Sequence, residues 1–174
     1  MSEFTAGKLS KILKEHKRWL DNEVEGEKAD LSCANLSDVD LNCALLRRAD
    51  LIGANLSDAY LDGAYLGGAN LSQADLGGAD LEAADLNDAN LRGANLRGAN
   101  LEGAYLAQVR NLSINQLSKV ETLYKAELDP ELMEQVKDEY PHLLKKPKQE
   151  ASDMEKVIES YKQAIRIDPD KNIY

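Results

Sequence analysis

Leucine recurs every five residues without a miss, sixteen times from Leu31 to Leu106. Two positions before each leucine stands alanine, from Ala29 to Ala104, with Val39 as the exception. The residue between them is mostly Asp or Asn, so the unit reads A-(N/D)-L-x-x. A period of five matches neither the 3.6 of a helix nor the 2 of a strand. In an α-helix each five-residue step would advance about 500°, or about 140° net, and smear the leucines around the axis. A chain that turns one corner per unit keeps every Leu and Ala inside. Four corners close a square coil, and coils stack at about 4.8 Å through parallel backbone pairing. The closed geometry leaves open edges only at the two ends.

The aromatic fraction is 5%, with one Phe and one Trp, so Leu and Ala must fill a narrow interior. The tract 29–108 resembles the pentapeptide-repeat family, whose consensus is this A-(N/D)-L-x-x unit. The resemblance implies a mainly β solenoid: a right-handed quadrilateral β-helix of about four coils. The stretch ILKEHKRWLDNEVEGEKADLSCANL is similar to the lead-in of bacterial, especially cyanobacterial, members. The family covers many roles, so the fold names no activity.

The net charge of −10 is uneven. Residues 29–108 hold twelve acidic and four basic groups, whereas residues 1–28 balance and 109–174 carry a small negative excess. A surface that binds a nucleic-acid backbone needs clustered Lys and Arg, so direct nucleic-acid binding and anionic membranes are both disfavoured. The first twenty residues hold no continuous apolar run, and neither a signal peptide nor a membrane span is expected. Cys33 and Cys43 lie two corners apart, on opposite sides of one coil, and are expected to be free thiols. Together these features give a cytoplasmic expectation.

Residues twenty apart should stack. One column then reads Asn42, Asp62, Glu82, Glu102, and the next face carries Leu45, Tyr65, Asp85 and Tyr105, with Arg47 and Arg48 near its N-terminal end. Tyr60 sits one corner from Tyr65. Tyrosines among small polar neighbours serve as interface anchors. Asp62, Glu82, Glu102, Tyr60, Tyr65 and Tyr105 are therefore the candidate partner-contact surface, set against the plainer reading of a solvated acidic face with surface tyrosines.

Helical segments are expected to flank the β-helix: one N-terminal and about three C-terminal. Leu9, Ile12, Leu13, His16 and Leu20 share one face of a helix near 6–22, giving an N-terminal helical cap over 1–28. After Gln108 the register breaks. Ser113 and Gln116 form a capping box, with Leu117, Val120, Leu123 and Tyr124 on one helical face. Asp129-Pro130 opens a second helix that Pro141 stops. Residues 109–144 thus read as a C-terminal helical cap and 145–151 as a linker. Residues 152–174 read as a last helix resembling half a tetratricopeptide repeat, with Val157, Ile158, Tyr161 and Ile165 as its candidate interface. One half-repeat cannot bury its own apolar face, so it packs locally, pairs with a second copy to give a homodimer, or meets a partner.

The two histidines lie in different caps, and no nucleophile motif, phosphate loop or metal-ligand spacing is present. The expectation is a non-catalytic protein-interaction or scaffolding protein, with no cofactor and no metal, acting on an unidentified protein partner. The alternative implied by the resemblance is a DNA mimic that inhibits a type II topoisomerase such as DNA gyrase. Four coils span about 19 Å, over which duplex DNA carries about 11 charges. The acidic excess of the tract is comparable, but the rod matches only about six base pairs.

Overall fold

In the computed structural model the described residues are 5–147. The expected last helix and its candidate interface Val157, Ile158, Tyr161 and Ile165 lie outside them. The elements run α1 (Ala6–Leu20), the repeat tract, β1 (Tyr105–Leu106), α2 (Ile114–Leu117), β2 (Glu127–Leu128), α3 (Pro130–Glu139) and a 3₁₀ turn (Pro141–Leu144).

Residues twenty apart pair in parallel through the tract: Asp30 with Asp50, Asn35 with Asn55, Asp40 with Tyr60, Leu45 with Tyr65, and so on to Asn90 with Arg110. The Leu31 N–H donates to Asp50 O at 2.8 Å, and the Asp50 N–H donates to Ala29 O at 2.9 Å. Inside, each of the sixteen leucines is at most 2% exposed. Burying one leucine side chain fully is worth roughly 1.5–3 kcal/mol before entropy is counted.

Each corner is a tight turn closed by the next alanine, as when the Ala34 N–H donates to Leu31 O at 3.1 Å. The residue before that alanine has positive φ in every repeat. Glycine supplies it at Gly53, Gly63 and five further repeats, but Cys33, Asp38, Cys43, Arg48, Asp58, Gln73, Ala83, Asp88 and Gln108 adopt it as well. The turn, closed by a hydrogen bond across it, imposes the left-handed conformation, and the sequence only sometimes relieves it.

The polar residue between Ala and Leu does more than face water. In twelve repeats its side-chain oxygen accepts the N–H two residues on, from Asp30 with Ser32 to Asn100 with Glu102. This caps each turn locally. Amides also link coils: Asn55 to Asn35, Asn90 to Asn70, Asn95 to Asp75 and Asn100 to Asp80.

At the N-terminal end, Thr5 caps α1 by accepting the Lys8 N–H, and Leu9 and His16 are buried against the first coil. His16 is fully buried, and its Nδ1 accepts the Ala29 N–H at 3.0 Å, so it satisfies a backbone donor at the open edge. With Nδ1 accepting, the neutral ring carries its proton on Nε2. Among the described residues Nε2 has no partner within hydrogen-bond distance, though the Arg47 carbonyl favours its proton. Burial is the dominant influence and pushes the imidazole below its ordinary value. Trp19 stacks on the same ring at 5.5 Å.

At the other end the expected helix through Leu117, Val120, Leu123 and Tyr124 does not form as such. The Ser113–Gln116 capping box is present, but α2 stops at Leu117. The chain beyond it continues the solenoid instead. Glu121 donates to Ala99 O at 2.9 Å, Gly103 donates to Tyr124 O at 2.8 Å, and β2 pairs in parallel with β1. The two-residue insertion carried by α2 lengthens the pairing offset from twenty at Asn90–Arg110 to twenty-two at Asn100–Thr122. Backbone groups on the exposed edge of the preceding coil need partners, and that demand outweighs the helical pattern. Val120 and Leu123 are buried all the same, as coil-interior residues. Gln116 completes the junction: its amide nitrogen donates to Leu91 O at 2.9 Å and Ala94 O at 3.0 Å.

Helix α3 begins at Pro130 as expected, but Asp129 makes no side-chain cap to it. Its two carboxylate oxygens accept the Gln108 N–H instead, at 3.1 and 3.2 Å, and so close the last repeat.

Candidate functional site

The four repeats that carry no Asp or Asn between Ala and Leu hold Leu45, Tyr60, Tyr65 and Tyr105 there. All four are exposed apolar side chains, at 38%, 53%, 45% and 43% respectively. None can accept the N–H two residues on through a carbonyl or carboxylate oxygen, so each gives up the turn cap that the other twelve repeats make. They are not scattered. Leu45, Tyr65 and Tyr105 belong to one stacked column with Asp85, and Tyr60 belongs to the adjoining column of Asp40, Asp80 and Asn100.

The corner between these two columns is made by Asp62–Gly63 and its equivalents. Stacking of the corner residues is direct: the Gly63 N–H donates to Glu82 O at 2.8 Å and the Ala83 N–H donates to Glu102 O at 2.8 Å. Asp62, Glu82 and Glu102 therefore form a column along one edge, with Tyr60 on one side and Tyr65 and Tyr105 on the other. The structure brings all six candidate residues together. Asp62 and Glu82 are exposed, and Glu102 is half-buried. The Asp62 N–H is itself held by Asn42 Oδ1 at 2.9 Å, which fixes the top of the column.

Leu45 and Asp85 belong with this surface although the residue-type argument passes over them. Leu45 is readable as a departure from the Asn/Asp consensus. Asp85 is disguised by conforming to it, and only its two tyrosine neighbours set it apart.

On the far side of the Tyr65 column the chain turns at Gly67 and Gly68. A notch opens there between Arg47 and Asp85. Asp85 Oδ1 accepts the Asn87 N–H at 3.1 Å. Its Oδ2 lies 3.3 Å from where a Cβ on Gly67 would stand, and Arg47 Nε lies 3.6 Å from the same point.

Cys33 and Cys43 are free and exposed. Among the described residues no group of three or more His, Cys, Asp or Glu side chains is placed to hold a metal ion. No described helix is long and apolar enough to cross a membrane. His16 is committed to the α1 junction, and His142 packs edge-on against Tyr140 at 6.4 Å.

The pentapeptide repeats model matches residues 29–68 and 64–103. A pentapeptide repeat protein of Nostoc Pcc 7120 is 32% identical, with a TM-score of 0.52 over 74% of this chain and 99% of that one. One from the Arabidopsis thaliana thylakoid lumen is 29% identical, with a TM-score of 0.49 over 63% and 72% of the two chains. A third, from the cyanobacterium Cyanothece 51142, is 30% identical, with a TM-score of 0.36 over 70% and 96%. No curated protein matches the chain.

Proposed function

Because this chain belongs to the pentapeptide repeat family and has its right-handed β-helix solenoid fold, we propose that it is a non-catalytic protein-interaction module that binds a protein partner along one edge of the rod. The observation that carries the reading is the clustering of its departures from the repeat. All four turn positions that lack the Asn/Asp cap carry large apolar side chains in the solvent, and all four flank one acidic corner. A surface chosen for stability alone would keep the polar caps, each worth roughly 0.5–1.5 kcal/mol net. Exposed tyrosines on a rigid backbone offer large contact area at low entropic cost. The acidic column beside them selects a basic partner and steers its approach. The two free, exposed thiols suit a reducing compartment such as the cytoplasm.

The test is site-specific photo-crosslinking. A photoreactive residue at Ala83, beside the acidic corner, should give a discrete adduct in source cells that Tyr65→Ser and Tyr105→Ser abolish. The same probe at Ser57, on another face, should give none. Equal adducts from both positions would refute the reading.

The second reading, mimicry of DNA toward a type II topoisomerase, draws on the same acidic groups. The remaining corners weigh against it: Arg92 and Arg97 are exposed on two of them and Arg47 on the third. Asp38, Asp58 and Asp88 share those corners, so most of the net negative charge is left on the Asp62–Glu102 edge and its flanking columns rather than wrapped around the rod as in a duplex. Inhibition of gyrase supercoiling at stoichiometric protein would establish mimicry and displace the first reading.

A further inference from the structure

The column Leu45–Tyr65–Asp85–Tyr105 has a more specific geometry than an apolar stripe. Tyr65 pairs with Asp85 and Asp85 with Tyr105 in successive coils. At about 4.8 Å per coil the two tyrosines stand about 10 Å apart along the rod, with the carboxylate level with their midpoint. Among the described residues no ring contact joins them, and each is nearly half in water. A cation is attracted to a tyrosine face when it lies within about 6 Å of the ring centre. A cation level with Asp85 stands about 5 Å along the rod from the level of each tyrosine, within that reach.

Asp85 supplies the counter-charge. One oxygen is occupied by the Asn87 N–H, as the turn requires. Asp75 and Asp80 each also receive an amide N–H from the next coil, from Asn95 and Asn100, on the same Oδ1 that caps the turn. Asp85 has tyrosine above and below it, and neither donates to it. Its Oδ2 faces the space that Gly67 leaves by having no side chain. Among the described residues no ion pair within 4.0 Å engages Asp85, although Arg47 reaches the opposite wall of the same notch.

Resting on the interaction-surface reading, we infer that Tyr65, Asp85 and Tyr105 form a receptor for one basic side chain, an arginine or lysine presented by the protein partner. Its charge sits between the two rings and donates to Asp85 Oδ2. The neighbouring column Asp62, Glu82 and Glu102 favours further basic residues on the same segment. Arg47 places positive charge at the N-terminal wall of the notch, so it opposes the partner's cation and sets the direction in which the segment lies.

The test is selection of a random twelve-residue peptide library on the immobilised full-length chain, followed by affinity measurement on variants. Recovered peptides should share an Arg or Lys. Asp85→Asn should weaken them at least tenfold, the order of a lost charge-assisted hydrogen bond. The same variant should leave thermal unfolding unchanged, because asparagine caps the turn as it does at Asn70 and Asn90. Arg47→Ala should strengthen binding. Peptides that need Tyr65 and Tyr105 but bind Asp85→Asn at full strength would overturn this inference and leave the interaction surface standing. If no recovered peptide depends on Tyr65 or Tyr105, the inference and the surface reading fall together.

Discussion

The left-handed residue in each corner gives the sharpest quantitative test of the solenoid. Ala83 and Gly103 are stacked equivalents one coil apart, with φ of 52° and 65°. A Cβ placed on Gly103 would find nothing nearer than the Ala83 backbone, at 3.9 and 4.0 Å, which is ordinary contact. Space is therefore no obstacle, and exchanging the two residue types isolates the backbone term. An L-residue in this region costs roughly 1–2 kcal/mol. Glycine recovers that but loses about 0.5–1 kcal/mol through its greater freedom in the unfolded chain. The difference leaves Ala83→Gly stabilising and Gly103→Ala destabilising, each by about 0.5–1 kcal/mol. Equilibrium urea unfolding of the whole chain, read as midpoint shifts at constant slope, measures both. If Ala83→Gly lowers the midpoint, or Gly103→Ala leaves it unmoved, the claim that the turn imposes strain on its non-glycine residues is wrong.

Three further outcomes test the ends of the rod. His16 is neutral and buried, with its value pushed down by desolvation, so the unfolded chain binds the extra proton first as pH falls. The contribution of His16 should be intact above about pH 6.5 and decline below it, by at most about 1.4 kcal/mol between pH 7.5 and 5.5. His16→Gln should flatten that part of the stability profile, and an unchanged profile would count against the buried neutral imidazole. Gly26→Ala would set a Cβ against the Arg18 and Trp19 backbone, which cannot move aside as a side chain could. It should destabilise by about 1–3 kcal/mol, with faster amide exchange in α1 and the first coil. Gln116→Ala removes the donor to Leu91 O and Ala94 O as well as the capping-box acceptor, and should cost about 1–3 kcal/mol in the same unfolding measurement.

The coil itself was readable from residue order alone. A five-residue period with Leu and Ala in fixed places admits one compact closure, and the parallel pairing of residues twenty apart follows from four corners per turn. The face assignments that joined Asp62 to Glu82 and Glu102, and Tyr65 to Tyr105, needed nothing more. Each is a consequence of strict periodicity, in which a local pattern repeated at constant spacing determines long-range neighbours.

Where the repeat stops, that logic stops with it. The spacing of Leu117, Val120, Leu123 and Tyr124 is helical, yet most of that stretch lies against the preceding coil, because unpaired backbone groups on an open edge outweigh a four-residue helical preference. Asp129 has the sequence of a helix cap and closes Gln108 instead, since the competing N–H is brought to it from twenty-one residues away. His16 looked like a lone histidine on an apolar face, and only packing showed which donor it satisfies. Asp85 matches its repeat consensus, and its significance comes from the tyrosines one coil to either side. Residue spacing is enough to define the repeating interior and the order of its faces. The two ends were settled by packing in three dimensions, because they depend on which hydrogen-bonding groups are left without a partner when the coils have stacked.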